Sequence, residues 1–144
     1  MYDEILVPTD GSDASRAAID HAIDIASKYG ARVHALYVVD TASYSTLETG
    51  AEMVVDALRE EGEEAVAEVE AAAADAGVRV RTAVVSGTAH REILGYSADN
   101  DVDLVVMGTH GRRGLDRYLL GSVTERVVRS SDVPVLTVRM RPGD

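Results

Sequence analysis

Apolar residues along this chain follow two alternating spacings. Five short runs are rich in β-branched side chains: Ile5-Leu6-Val7, Val33 to Val39, Val78 to Val85, Leu104-Val105-Val106-Met107 and Pro134 to Val138. The first and fourth are almost unbroken, as strands covered on both faces are. Between the runs the apolar positions recur at helical spacing. Ala14, Ala17, Ala18, Ala22, Ile25, Ala26 and Tyr29 form one such stripe, with Ser12 as N-cap and Gly30 as stop. Val54, Val55, Leu58, Ala65, Val66, Val69, Ala72, Ala73 and Ala76 form a longer one, ended by Gly77. Its outer face carries Glu60, Glu61, Glu63, Glu64, Glu68 and Glu70, a solvated face rather than a metal site. Ala89 to Ala98 and Val123 to Ser130 complete the helices. Strict alternation of strand and helix predicts an α/β domain spanning residues 1–144, with a parallel sheet, helices on both faces and right-handed crossovers. The irregular stretch Asp40 to Gly50, rich in Thr, Ser and Tyr, reads as a surface loop.

Composition narrows what such a domain does. At 144 residues it buries enough surface to fold without a staple, and the lack of cysteine excludes a disulfide framework, a thiolate metal site and a Cys nucleophile. No basic-then-apolar leader opens the sequence and no apolar stretch approaches ~20 residues. The expectation is a cytoplasmic protein with no membrane partner. A net charge of −11 argues against nucleic acid as a partner. Lys28 is the only lysine, which argues against a hyperthermophile, and the acidity fits either a salt-loving source or a GC-rich genome.

The chemistry concentrates after the fourth strand, where Gly108-Thr-His-Gly111-Arg112-Arg113-Gly-Leu-Asp-Arg117-Tyr-Leu-Leu-Gly121-Ser122-Val123-Thr124-Glu125 reads as a phosphate loop. Gly108 and Gly111 let backbone approach a ligand closely. Ser122 to Glu125 has the capping-box pattern of a helix start, with Glu125 expected to fold back onto the Ser122 amide. Amides of that helix end, those of Val123 and Thr124 among them, would face an anion. A helix terminus gives only about 0.3–1 kcal/mol per charge, whereas micromolar affinity needs about 8 kcal/mol. Backbone amides, the Ser122 and Thr124 hydroxyls, a divalent cation and base stacking therefore have to act together. The lysine-bearing P-loop pattern and a glycine fingerprint after the first strand are both absent.

Asp10, at the end of the first strand, would face this loop if the first and fourth strands are neighbours at a reversal of strand order. Two readings stand side by side for it: a carboxylate on a ribose hydroxyl or base amino group, and a cap for the helix beginning near Ser12. His110, Arg112, Arg113 and Arg117 are candidates for phosphoryl chemistry, but none has an assignable partner, so no catalytic residue is named. His21 is expected at the core edge, His34 within a strand, and His90 in the first turn of a helix with no role.

These segments together resemble the universal stress protein family. Its nucleotide-binding members carry G-x2-G-x9-G-[ST], matched here by Gly108, Gly111, Gly121 and Ser122. The likeness extends through Ile-Leu-Val-Pro-Thr-Asp-Gly-Ser at 5–12, Tyr-Val-Val-Asp at 37–40, Val-Val-Met-Gly-Thr-His-Gly at 105–111, Leu-Leu-Gly-Ser-Val-Thr-Glu at 119–125 and Val-Pro-Val-Leu-Thr-Val at 133–138. The resemblance implies a three-layer, Rossmann-like fold of the adenine nucleotide alpha hydrolase type, with a five-stranded parallel sheet in order 3-2-1-4-5. It implies ATP in the crevice between the first and fourth strands, with Mg2+ or Mn2+ held mainly by the phosphates. Asp10 would contact the ribose; Pro8, Thr9 and the Val38 backbone would flank the adenine. Met107 and Gly108 would lie under the nucleoside, and Gly111, Arg112, Gly121, Ser122, Val123 and Thr124 would hold the phosphates. It further implies a homodimer through the last strand, Val135-Val138. Ala89 departs from the proline that many relatives carry there. The function implied is a nucleotide-dependent regulatory or stress-response protein. A slow ATPase or phosphotransferase using the same site, and a dimerisation module with a vestigial pocket, are the alternatives.

Overall fold

A computed structural model describes residues 1–41, 51–109 and 120–140. In chain order the elements are β1 (Glu4–Pro8), α1 (Asp13–Tyr29), β2 (Arg32–Asp40), α2 (Ala51–Asp75), β3 (Val80–Gly87), α3 (Ala89–Asp99), β4 (Leu104–Gly108), α4 (Ser122–Ser130) and β5 (Val135–Val138). The strands form one parallel sheet in the order β3-β2-β1-β4-β5, as expected. The chain therefore winds outward from β1 through β2 to β3, then crosses back to place β4 on the other side of β1. Strand order reverses between β1 and β4, where Ile5 stands opposite Leu104 and Leu6 opposite Val105.

The two-residue period of the strands sorts their side chains into two cores. Ile5, Val7, Val33, Ala35, Tyr37 and Val39 pack with Ala18 and Ala22 of α1 and with Val69 and Ala73 of α2. Leu6, Leu36, Val105 and Met107 face the other way, onto Ile93 of α3 and Val127 of α4. The six glutamates at 60, 61, 63, 64, 68 and 70 stay on the exposed side of α2.

Helix ends explain where the predicted boundaries held and where they moved. Ser12 caps α1, its hydroxyl accepting from the Ser15 amide, and Gly30 closes the helix in the left-handed conformation at φ 69°. Gly77 ends α2 the same way, at φ 71°. There the Gly77 amide reaches the Ala74 carbonyl and the Val78 amide reaches that of Ala73. This paired closure satisfies the last carbonyls of the helix. It also takes Val78 into the helix terminus, so β3 opens at Val80 and not at Val78.

Candidate functional site

The carboxyl end of β1 runs directly into a tightly bonded turn. The Thr9 amide donates to the Leu36 carbonyl at 2.8 Å, prolonging the ladder to β2 by one residue. The Gly11 amide then donates to Thr9 Oγ1 at 3.1 Å, with Gly11 at φ 80°. Asp10 Oδ1 accepts from the Ser12 amide at 2.9 Å and from Ser15 Oγ at 2.7 Å. The Asp10 amide in turn donates to Ser15 Oγ at 3.1 Å. Asp10 is not the cap of α1, a place that Ser12 takes; its carboxylate braces the turn two residues ahead of that cap.

The carboxyl end of β4 lies against the first turn of α1, into which this turn leads. A Cβ on Gly108 would sit 2.9 Å from the Ala14 carbonyl oxygen in the first turn of α1. The missing side chain at Gly108 thus lets β4 and α1 touch backbone to backbone, a packing reason distinct from the ligand approach expected for it. Beyond Gly108 the Thr109 amide bonds the Val138 carbonyl at 3.1 Å, and the Gly121 amide bonds the Thr109 carbonyl at 2.6 Å. The chain therefore leaves β4 and returns to α4 at one point. Gly111, Arg112, His110, Arg113 and Arg117 lie between these ends, outside the described residues.

Helix α4 corrects two expectations. Its N-cap is Gly121, with no side-chain cap bond, and Ser122 is its first helical residue. The first intrahelical bond runs from the Glu125 amide to the Gly121 carbonyl at 2.9 Å, which shifts the start by one residue and removes the capping-box geometry. Glu125 instead pairs with Arg129 one turn on, at 2.8 Å. Thr124, expected to offer its hydroxyl to phosphate, is 4% exposed, and that hydroxyl donates to the Gly108 carbonyl at 2.9 Å. It clamps the helix to the strand end. Its backbone amide, with those of Ser122 and Val123, precedes the first intrahelical donor and belongs to the positive end of the helix. Ser122 is exposed there.

The remaining candidates take distinct positions. Met107 is 5% exposed and packs in the α3–α4 core, so its side chain is committed to the interior. Val38 is partly buried against the same cluster. Thr9 is buried and Pro8 half-buried. Among the described residues no group of three or more His, Asp or Glu side chains is placed to hold a metal, and no helix is long and apolar enough to cross a membrane.

Two groupings escaped the reading of the sequence. One is Ser15, whose part in the Asp10 turn was signalled only by a serine three residues after the cap. The other lies toward the amino ends of the strands. There His34 is 1% exposed, its Nε2 stands 2.7 Å from Glu4 Oε2, and its Nδ1 stands 2.8 Å from the Tyr96 hydroxyl. Burial raises the Tyr96 phenol above its ordinary pKa, an effect added to by Glu4 and opposed by Arg81 and Arg32. His21, expected at the core edge, is exposed with Nδ1 2.9 Å from the Ala17 carbonyl.

The order reversal, the Asp10 turn and the α4 terminus at the carboxyl ends of the inner strands meet a match to the universal stress protein family over residues 1–139. The chain belongs to that family. Among universal stress proteins it is 43% identical over 141 residues to Universal stress protein MJ0531 of Methanocaldococcus jannaschii, covering 96% of this chain and 83% of the relative. Its fold superposes on the solved structure of the hypothetical protein MJ0577 with a TM-score of 0.89 at 33% identity, over 99% of both chains. A universal stress protein solved in complex with cAMP shares 27% identity, with a TM-score of 0.75 over 95% of this chain and 97% of that one.

Proposed function

We propose that this universal stress protein binds ATP at the β1–β4 switch point and acts as a nucleotide-dependent regulatory protein. The observation that carries this reading is convergence: the Asp10 turn leading into α1 and the amino end of α4 flank the carboxyl end of β4, at the order reversal where ligands of open α/β folds bind. The amides of Ser122, Val123 and Thr124 offer donors to phosphate, while the Asp10 carboxylate suits ribose hydroxyls and repels phosphate, which orients a nucleotide along the crevice. The cAMP complex of a relative supports a nucleotide as the ligand class. Against a net charge of −11, a triphosphate needs its own Mg2+ or Mn2+, held mainly by phosphate oxygens. The reading also includes a homodimer through β5, an edge strand whose Leu136 is 37% exposed, with Met140 just beyond it at 43%.

Mass spectrometry of ligand released from purified protein, then calorimetry with Mg-ATP at low and high salt, tests the proposal. The expected result is an adenine nucleotide or measurable heat, with Asp10→Ala weakening adenosine and ATP alike and Ser122→Ala weakening ATP more. Neither nucleotide nor heat in either buffer would sink it. Multiple-turnover phosphate release would move the assignment from binding to hydrolysis.

A further inference from the structure

We infer that Ser15 is a positioning residue for the nucleotide: it sets the direction in which the Asp10 carboxylate meets the ribose. The inference rests on the ATP-binding reading above and adds to it a residue that touches no ligand. Ser15 is 6% exposed, in the first turn of α1. Its hydroxyl has one proton and two acceptor directions. The proton goes to Asp10 Oδ1 at 2.7 Å, since an ionised carboxylate only accepts. One acceptor direction takes the Asp10 amide at 3.1 Å. Ser12 Oγ stands 3.2 Å away and, with the Ser15 proton already used, is the donor of that pair. Ser12 Oγ also accepts from the Ser15 amide at 3.2 Å, which locks the serine in the cap of α1. One buried hydroxyl thereby grips both the backbone and the side chain of Asp10.

This arrangement does more than hold a turn. With the Ser12 amide and the Ser15 hydroxyl both on Oδ1, the carboxylate plane is set from two sides. A carboxylate offers about four acceptor directions, so fixing two of them determines where the others point. A ribose hydroxyl donating to a carboxylate held in this way meets it without first having to stop its rotation. Without Ser15, Oδ1 loses one of the two donors that set its plane, and the nucleotide has to order the carboxylate further on binding.

The test is the preference for ATP over its 2′-deoxy and 3′-deoxy analogues, measured by calorimetry on wild type, Asp10→Ala, Ser15→Ala and Ser15→Cys. Ser15→Cys keeps the side-chain connectivity, with a somewhat larger atom, and replaces a strong donor with a weak one, so it serves if Ser15→Ala does not fold. Because the preference is a ratio within one protein, a uniform loss of folded protein does not change it. Wild type is expected to favour ATP over one of the analogues by roughly tenfold, about the worth of a hydrogen bond to a charged group. Asp10→Ala and both Ser15 variants should bring that ratio close to one, and Asp10→Ala/Ser15→Ala should bind no more weakly than Asp10→Ala alone. A Ser15 variant that keeps the wild-type ratio while Asp10→Ala loses it would overturn the positioning role and leave ATP binding standing. Wild type that binds ATP with no deoxy preference would overturn the Asp10–ribose contact and Ser15 with it. Wild type that binds no ATP would overturn the nucleotide reading itself.

Discussion

Replacing Gly108 with alanine separates two reasons for a glycine at the end of β4. An added Cβ would lie 2.9 Å from the Ala14 carbonyl oxygen, 3.1 Å from its carbonyl carbon and 3.3 Å from its Cβ. Carbon atoms settle at about 3.5–4.0 Å, so relief needs a shift of roughly half an ångström between β4 and α1. Neither side yields easily. Two of the three atoms are backbone in the first turn of α1, next to Ser15, and β4 is hydrogen-bonded between β1 and β5. Overpacking of this kind costs about 1–3 kcal/mol. Taking about 2.1 cal/mol/K per residue over 144 residues, each kcal/mol lowers Tm by about 3 °C. Gly108→Ala should therefore melt about 3–10 °C below wild type by circular dichroism on nucleotide-free protein. The ligand-free state is the point of the assay. A Tm equal to wild type without nucleotide, with ATP affinity lost, would refute the packing role and return Gly108 to a role in ligand approach.

Two glycines within helices should respond in opposite directions. Gly95 is exposed on α3, and a Cβ added there would meet nothing within 4 Å, so Gly95→Ala should raise the urea midpoint by an amount worth about 0.5–1 kcal/mol. At Gly62 a Cβ would come 2.6 Å from Cδ1 of the buried Tyr37 ring, and the overpacking of about 1–3 kcal/mol should outweigh the gain in helix propensity, lowering the midpoint. Equal shifts at the two sites would show that propensity alone governs both. The raised pKa of Tyr96 has a definite sign: the unfolded phenol ionises near pH 10 while the folded one keeps its proton, so stability falls as pH rises above about 10. Tyr96→Phe should flatten that alkaline slope in urea midpoints measured across it, and an unchanged slope would contradict the assignment.

Much of this protein is legible along the chain because its causes are local. Strand and helix follow from spacings of two and about 3.6 residues, which nearest neighbours carry. Ser12 and Gly30 could be placed because a cap needs a particular side chain or a positive φ at one position. The start of α4 was misread by one residue for an equally local reason. The motif at Ser122 to Glu125 permits a capping box, but the Gly121 amide is tied back to Thr109, and that anchor makes Gly121 the cap.

By itself the sequence determined a βα-alternating chain with a glycine-marked return into a helix terminus, and the motifs that align it with its family. Only the tertiary structure decided what the marked residues do with their atoms. Gly108 is small for Ala14, Thr124 spends its hydroxyl on the Gly108 carbonyl, and His34 lies buried between Glu4 and Tyr96. Each of these pairs joins different secondary-structure elements, and a buried polar group must take whichever partner the packing presents. Even Ser15, only five residues from Asp10, acquires its grip through the turn that brings helix and strand end together.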